Sequence, residues 1–166
     1  QYFEQALNNE VVGDSLYNLS LNGGRGKYGF LEIIDNYGST KAGNLAHYYA
    51  GMAYLNTNKY QEAINHLDNF SGDDEMLAPL AKGAIGDAFA QLDQNDEALK
   101  YYEEAATMRT NDVTTPRFLL KAGIFALNTG NATVALKHFE TLEKQYPKST
   151  EAKKAVAYKG KVEAMQ

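Results

Sequence analysis

Ala50-Gly51-Met52-Ala53-Tyr54 decides the fold, because it returns twice: as Ile85-Gly86-Asp87-Ala88-Phe89 and as Ala122-Gly123-Ile124-Phe125-Ala126. Each glycine sits inside an apolar, helix-periodic stretch, where glycine costs about 1 kcal/mol relative to alanine. Such a residue persists where two backbones approach closely. Twelve residues after each glycine stands an alanine (Ala63, Ala98, Ala135). Four residues later comes a large side chain (Leu67, Tyr102, Phe139). Pro147 follows the last alanine by twelve residues, and the glycine spacings are 35 and 37. A helix pair of this length cannot bury its own apolar face, so neighbouring pairs must stack.

An internal glycine, then Ala-x3-large, then Pro resembles the tetratricopeptide repeat, a helix–turn–helix unit of about 34 residues. Three units match in phase. The family's Trp position falls on His47, Lys82 and Leu119, its Tyr position is Ala126 in the third unit, and its Pro survives only there. The resemblance implies an all-α fold, a right-handed superhelical α-solenoid of helix–turn–helix repeats. Residues 39–148 are expected to hold three repeats (about 40–72, 75–110 and 115–147), and 149–166 a C-terminal capping helix.

Residues 1–38 read as N-terminal helices with a degenerate repeat-like unit. Phe30-Leu31-Glu32-Ile33-Ile34-Asp35-Asn36-Tyr37 parallels Phe139 to Tyr146, so it reads as a second helix, with a short first helix near 13–20. The glycine-rich stretch from Leu21 to Lys27 reads as a flexible connection. A phosphate loop there would need glycine where Leu21 stands and Ser or Thr where Tyr28 stands. Among the boundaries, Asn58 (with Gln61), Asn95 or Asp93, Thr115, Asn131 and Ser149 are expected as N-caps.

Composition excludes several classes of function. The 166 residues suit one domain, and the absence of Cys removes thiol chemistry and zinc–thiolate sites. The three His residues form no metal-binding or catalytic spacing. No constellation of nucleophile, base and orienting group is visible, so neither an enzyme nor a cofactor is expected. The net charge of −5 argues against nucleic acid. That charge is uneven: residues 62–112 carry −9, and residues 148–166 carry +3. No apolar stretch is long enough to span a bilayer. The chain starts within an apparent helix (Tyr2, Phe3, Ala6, Leu7), so an N-terminal anchor missing from this chain is the expected route to any membrane.

In tetratricopeptide arrays the first helices of the units line a concave groove where peptides lie. Counting from each glycine, positions −6, −3, +1, +4 and +5 face it. The resemblance therefore assigns to a partner-binding groove Leu45, Tyr48, Met52, Leu55 and Asn56 from the first unit. The second adds Leu80, Gly83, Asp87, Ala90 and Gln91, and the third Arg117, Leu120, Ile124, Leu127 and Asn128. With Arg117 as its one base, this surface does not suit a clamp for a terminal carboxylate. Its apolar lining suits an amphipathic helix or an unfolded segment. A helix of the chain itself, or of a second copy in a homodimer, is the competing occupant. The stretches Gly29 to Ile34, Lys41 to Tyr49 and Tyr60 to Ile64 resemble bacterial envelope tetratricopeptide proteins. The closest likeness is to the ancillary subunit of the secretory translocon. That resemblance implies a periplasmic, membrane-anchored scaffold for protein segments, with a cytoplasmic place as the alternative. The rival role is an envelope-assembly or cell-division adaptor that holds a folded partner on its outer, acidic face.

Overall fold

The computed structural model describes residues 3–4, 13–24 and 26–164. Among the described residues the chain forms nine α-helices and no strand. They are α1 (Gly13–Asn22), α2 (Phe30–Tyr37), α3 (Lys41–Asn56), α4 (Tyr60–Asn69) and α5 (Leu77–Gln91), then α6 (Asn95–Thr107), α7 (Thr114–Asn128), α8 (Ala132–Gln145) and α9 (Thr150–Ala164). Each helix from α2 on packs against its neighbours in sequence, which is the order of a helical-repeat solenoid.

The first helices of successive units (α1, α3, α5, α7, α9) also touch one another directly. The second helices make no comparable backbone contact among the described residues and are bridged by long side chains. The first-helix side is therefore the inner, concave side.

The recurring glycines do what the spacing predicts. A Cβ on Gly51 would lie 2.5 Å from Leu67 Cγ. On Gly86 it would lie 2.6 Å from the Tyr102 ring, and on Gly123 2.5 Å from the Phe139 ring. Ala63, Ala98 and Ala135 are fully buried on the facing helices. The large side chain thus occupies the volume that a Cβ would take, and each pair closes to near backbone contact.

Turns repeat as faithfully. Asn58 (φ 59°), Asp93 (φ 57°) and Gly130 (φ 85°) each stand seven residues after the unit's glycine and adopt the left-handed conformation. The next amide donates back into the helix: Lys59 to the Tyr54 carbonyl (2.9 Å), Gln94 to Phe89 (3.0 Å), Asn131 to Ala126 (2.7 Å). This is a Schellman-type stop. Asn58 and Asp93 are thus helix terminators rather than N-caps. Neither Asn95 nor Thr115 caps through its side chain. Asn95 is already helical, after Gln94 with no side-chain bond, and Asn111 takes the place expected of Thr115 by accepting from the Val113 and Thr114 amides. Asn131 does cap α8, accepting from the Val134 amide at 3.2 Å.

The glycine-rich connection differs from the flexible loop expected. Gly24 and Lys27 exchange two backbone hydrogen bonds of 3.1 Å, and the Gly23 amide donates to the Leu19 carbonyl at 2.8 Å. Gly23 and Gly26 hold φ near +75°, a region that glycine enters freely. It is a tight turn of an αα-hairpin. Phe3 is 8% exposed and packs its ring against Tyr17, Phe30 and Tyr49. It therefore closes the N-terminal end of the stack instead of filling the groove. Tyr2, Ala6 and Leu7, the other residues considered for that role, lie outside the described residues.

Candidate functional site: the concave groove

The floor of the groove is built where three first helices meet. Gly83 has no side chain, and Phe118 of α7 packs directly on its Cα. Tyr48 fits among Ala81, Ala84 and Ile85 of α5, with its ring 5.4 Å from that of Phe70. Tyr48 and Leu120, both at position −3, are each only 8% exposed. Neither is an accessible lining: Tyr48 closes the floor between α3 and α5, and Leu120 is buried on α7. Burial pushes the Tyr48 phenol above its ordinary range, the Tyr49 phenol adds to this, and the positive charge of Arg117 acts against it. Positions on α3 and α7 thus feel one another across α5.

Two hollows open between α3 and α5. One, of about 720 Å³, lies at the N-terminal ends of α3 and α5, between Lys41, Leu45, Phe70 and Leu77. Asn44 holds its rim: Oδ1 accepts from the Ser71 amide (2.9 Å) and Nδ2 donates to the Ser71 carbonyl (2.5 Å). Leu45 is 37% exposed there. The other, of about 380 Å³, lies at the C-terminal ends of the same helices. It is lined by Leu55, Asp87, Ala90 and Gln91, together with Asn58, Tyr60 and Tyr102.

The structure therefore brings Leu55, Asp87, Ala90 and Gln91 together and separates Leu45 from them. Met52, Leu80, Ile124 and Leu127 are half-buried. Asn56, Arg117 and Asn128 are exposed. Asn56 spends its Nδ2 on the Met52 carbonyl of its own helix at 2.7 Å.

Asp87 is the charged centre of the second hollow. Its Oδ1 accepts from the Tyr102 hydroxyl (2.7 Å) and pairs with Lys121 Nζ (2.5 Å), which also lies 5.1 Å from the centre of the Tyr102 ring. Burial and the neighbouring carboxylate push the Tyr102 phenol far above its ordinary range. Asp87 thus ties α5, α6 and α7 together, and its charge is neutralised within the fold.

Reading glycines alone in three units missed a fourth contributor. Gly160 follows Gly123 by 37 residues, the same step that separates Gly86 from Gly123. The structure sets α9 in the same register. The Ser149 hydroxyl accepts from the Ala152 amide, as the Thr40 hydroxyl accepts from Gly43. Both caps stand eleven residues before their glycine. The Ser149 and Thr40 amides each donate 2.9 Å back to a tyrosine carbonyl, Tyr146 and Tyr37. Ala152, Ala155 and Val162 are buried like Gly43, Ala46 and Ala53. Lys154 and Lys161 therefore occupy groove positions −6 and +1 of α9, both exposed.

The histidines serve elsewhere. His47 and His66 meet through their Nδ1 atoms at 3.3 Å and join α3 to α4. His138 joins α8 to α6 through Nε2 and Glu103 Oε1 at 2.8 Å. That geometry would suit an ion pair, but burial outweighs the carboxylate and holds the imidazole below its usual range, so a neutral ring donates. Among the described residues, no group of three or more His, Cys, Asp or Glu is placed to hold a metal ion. No helix among them is long and apolar enough to cross a membrane.

Stacked helix pairs with a seam of Gly, Ala and a large side chain define a helical-repeat domain of the tetratricopeptide type. Residues 26–160 match the family described as T7SS, ESX-1 secretion system protein EccA1, N-terminal domain. The chain belongs to that family, whose domain is itself a tetratricopeptide-like helical array. No curated protein and no solved structure matches it. The family is thus that of EccA1, and the likeness to the ancillary translocon subunit rests on the short stretches quoted above.

Proposed function

We propose that this chain is a non-enzymatic scaffold whose concave groove takes up an amphipathic or extended segment of another protein, in the service of protein export. The observation that carries the reading is the pair of hollows between α3 and α5, at the two ends of the helices that bury Tyr48. They offer Leu45 and Leu55, and Met52, Ile124 and Leu127 are half-exposed at matching positions of the first helices. Isolated apolar residues on a surface need no explanation, but a row of them along a concavity does. The secretion-system description of the family supports a protein partner. The likeness to envelope repeat proteins supports a periplasmic place, and a compartment-sensitive reporter fused after residue 164 tests that.

The outer face is the weaker candidate, because many of its acids are already engaged. Asp68 and Glu104 share Lys82, Glu97 meets Lys100, Glu103 meets His138, and Glu143 meets Lys159. A photo-crosslinking residue placed at Leu55 or Ile124 should trap a partner, and one placed at Asp96 or Glu140 should not. Adducts from the outer positions alone would replace the groove by a folded partner on the outer surface.

A further inference from the structure

The protein is acidic overall, yet its groove is not. Among the described residues at positions −6, −3, +1, +4 and +5 of α3, α5, α7 and α9, four carry a formal charge: Asp87, Arg117, Lys154 and Lys161. Asp87 is neutralised by Lys121. The other three are exposed and have no carboxylate partner among the described residues. Arg117 and Lys154 are both at position −6, on helices that pack against each other. Lys161 stands two turns further along α9, at the +1 position that Ile124 holds on α7, with its ammonium 5.1 Å from the centre of the Tyr158 ring. The acids of the chain's middle lie mainly on α4, α6 and the turns rather than at these positions; Asp112, just before α7, lines a hollow with Ser149 at the start of α9.

We infer that the groove is sign-selective: its C-terminal half takes an acidic amphipathic protein segment, with apolar side chains against Ile124 and Leu127 and carboxylates against Arg117, Lys154 and Lys161. This rests on the groove reading above and adds the chemistry of the partner. Charge complementarity fixes the choice. A basic segment would meet three like charges on two neighbouring helices, with Lys154 and Lys161 about 10 Å apart along α9, about a Debye length at 0.1 M salt, where repulsion is still felt. The half-buried aliphatic side chains along the strip favour a protein segment over a nucleic acid, which would call for exposed rings on which bases stack.

Two helical peptides of about 18 residues, roughly 27 Å long, test this. They share a Leu/Ala apolar face, and the polar face is Glu in one and Lys in the other. By fluorescence anisotropy the Glu peptide should bind at least about tenfold more tightly at low salt, with the gap closing near 1 M salt. The triple variant Arg117→Glu, Lys154→Glu, Lys161→Glu should reverse the preference. A variant with the same charge change on α8 and the following turn (Lys137→Glu, Lys144→Glu, Lys148→Glu) should not. Circular dichroism checks that both stay folded. Equal binding of the two peptides overturns the sign selectivity and leaves the groove reading standing. Binding of neither removes both. Tighter binding of single-stranded DNA or phosphatidylglycerol vesicles than of the Glu peptide would overturn the choice of a protein segment.

Discussion

Gly123 and Gly160 hold equivalent seats in consecutive first helices, and only Gly123 is covered. A Cβ on Gly123 would meet the Phe139 ring at 2.5 Å, whereas one on Gly160 would meet nothing within 4 Å. Alanine favours helix over glycine by about 1 kcal/mol. Forcing a methyl into a filled seam costs about 1–3 kcal/mol. Gly123→Ala should therefore destabilise by up to about 2 kcal/mol net, and Gly160→Ala should stabilise by about 0.5–1 kcal/mol. Urea unfolding of the two variants checks this, and effects of the same sign would sink the argument.

Asp87 offers a second comparison. The Tyr102 side chain is 2% exposed, and its hydroxyl has Asp87 as hydrogen-bond partner. Tyr102→Phe removes one hydrogen bond and leaves Asp87 with Lys121, at a cost of about 1 kcal/mol. Asp87→Ala strands a buried phenol and an ammonium beside it, which costs about 1–3 kcal/mol. Asp87→Ala should thus be the more damaging of the two in thermal unfolding. The opposite order would mean that the contact is incidental to the joint between α5, α6 and α7.

The seam was legible in the sequence because Gly, Ala and the large side chain recur at fixed spacing, and close packing leaves few alternatives there. The turns were less legible. Asn and Asp serve both as N-caps and as left-handed residues, so Asn58 and Asp93 read equally well as either until φ is known. The floor of the groove was not legible at all. Tyr48 is buried among Ala81, Ala84 and Ile85 of α5 and against the Phe70 ring, which depends on the next unit and not on α3's own pattern. Lys154 and Lys161 were hidden for another reason. Lys159-Gly160-Lys161-Val162-Glu163 lacks the apolar surroundings of the other three glycines, so the register of α9 shows only in its cap and its burial pattern.

Two of the unit-to-unit turns are set by one side chain each. Asn111 Oδ1 accepts from the Val113 (2.8 Å) and Thr114 (2.7 Å) amides, and its Nδ2 donates to the Glu75 carbonyl of the preceding unit (3.1 Å). Asp74 makes the matching pair of bonds to Met76 and Leu77. Asn111→Ala should cost about 1–2 kcal/mol, at the high end for a cap because an inter-unit bond goes with it. The Leu77 and Met76 amides hold the Asp74 carboxyl below its usual range. Its contribution is then fully present above the unfolded value near 4 and is lost as pH falls below it. Acid unfolding of Asp74→Asn should lack that part of the pH slope.

The His47–His66 pair gives the chain a second, milder acid sensitivity. Burial lowers both imidazoles, and the charge of His47 lowers His66 further, against a weaker pull from Glu62. A histidine held below its unfolded value near 6.5 favours the folded state while neutral. As pH falls through that value the unfolded chain takes up protons first, so stability drops until the folded rings also protonate. His138 acts in the same direction, since burial outweighs Glu103. The melting temperature should therefore fall between pH 7 and pH 5, a window in which ordinary carboxylates change little. His47→Gln with His66→Gln should flatten that fall in part, leaving the share of His138. Imidazole NMR titration reads the rings directly, and midpoints at or above 6.5 for His47 and His66 would refute the burial argument.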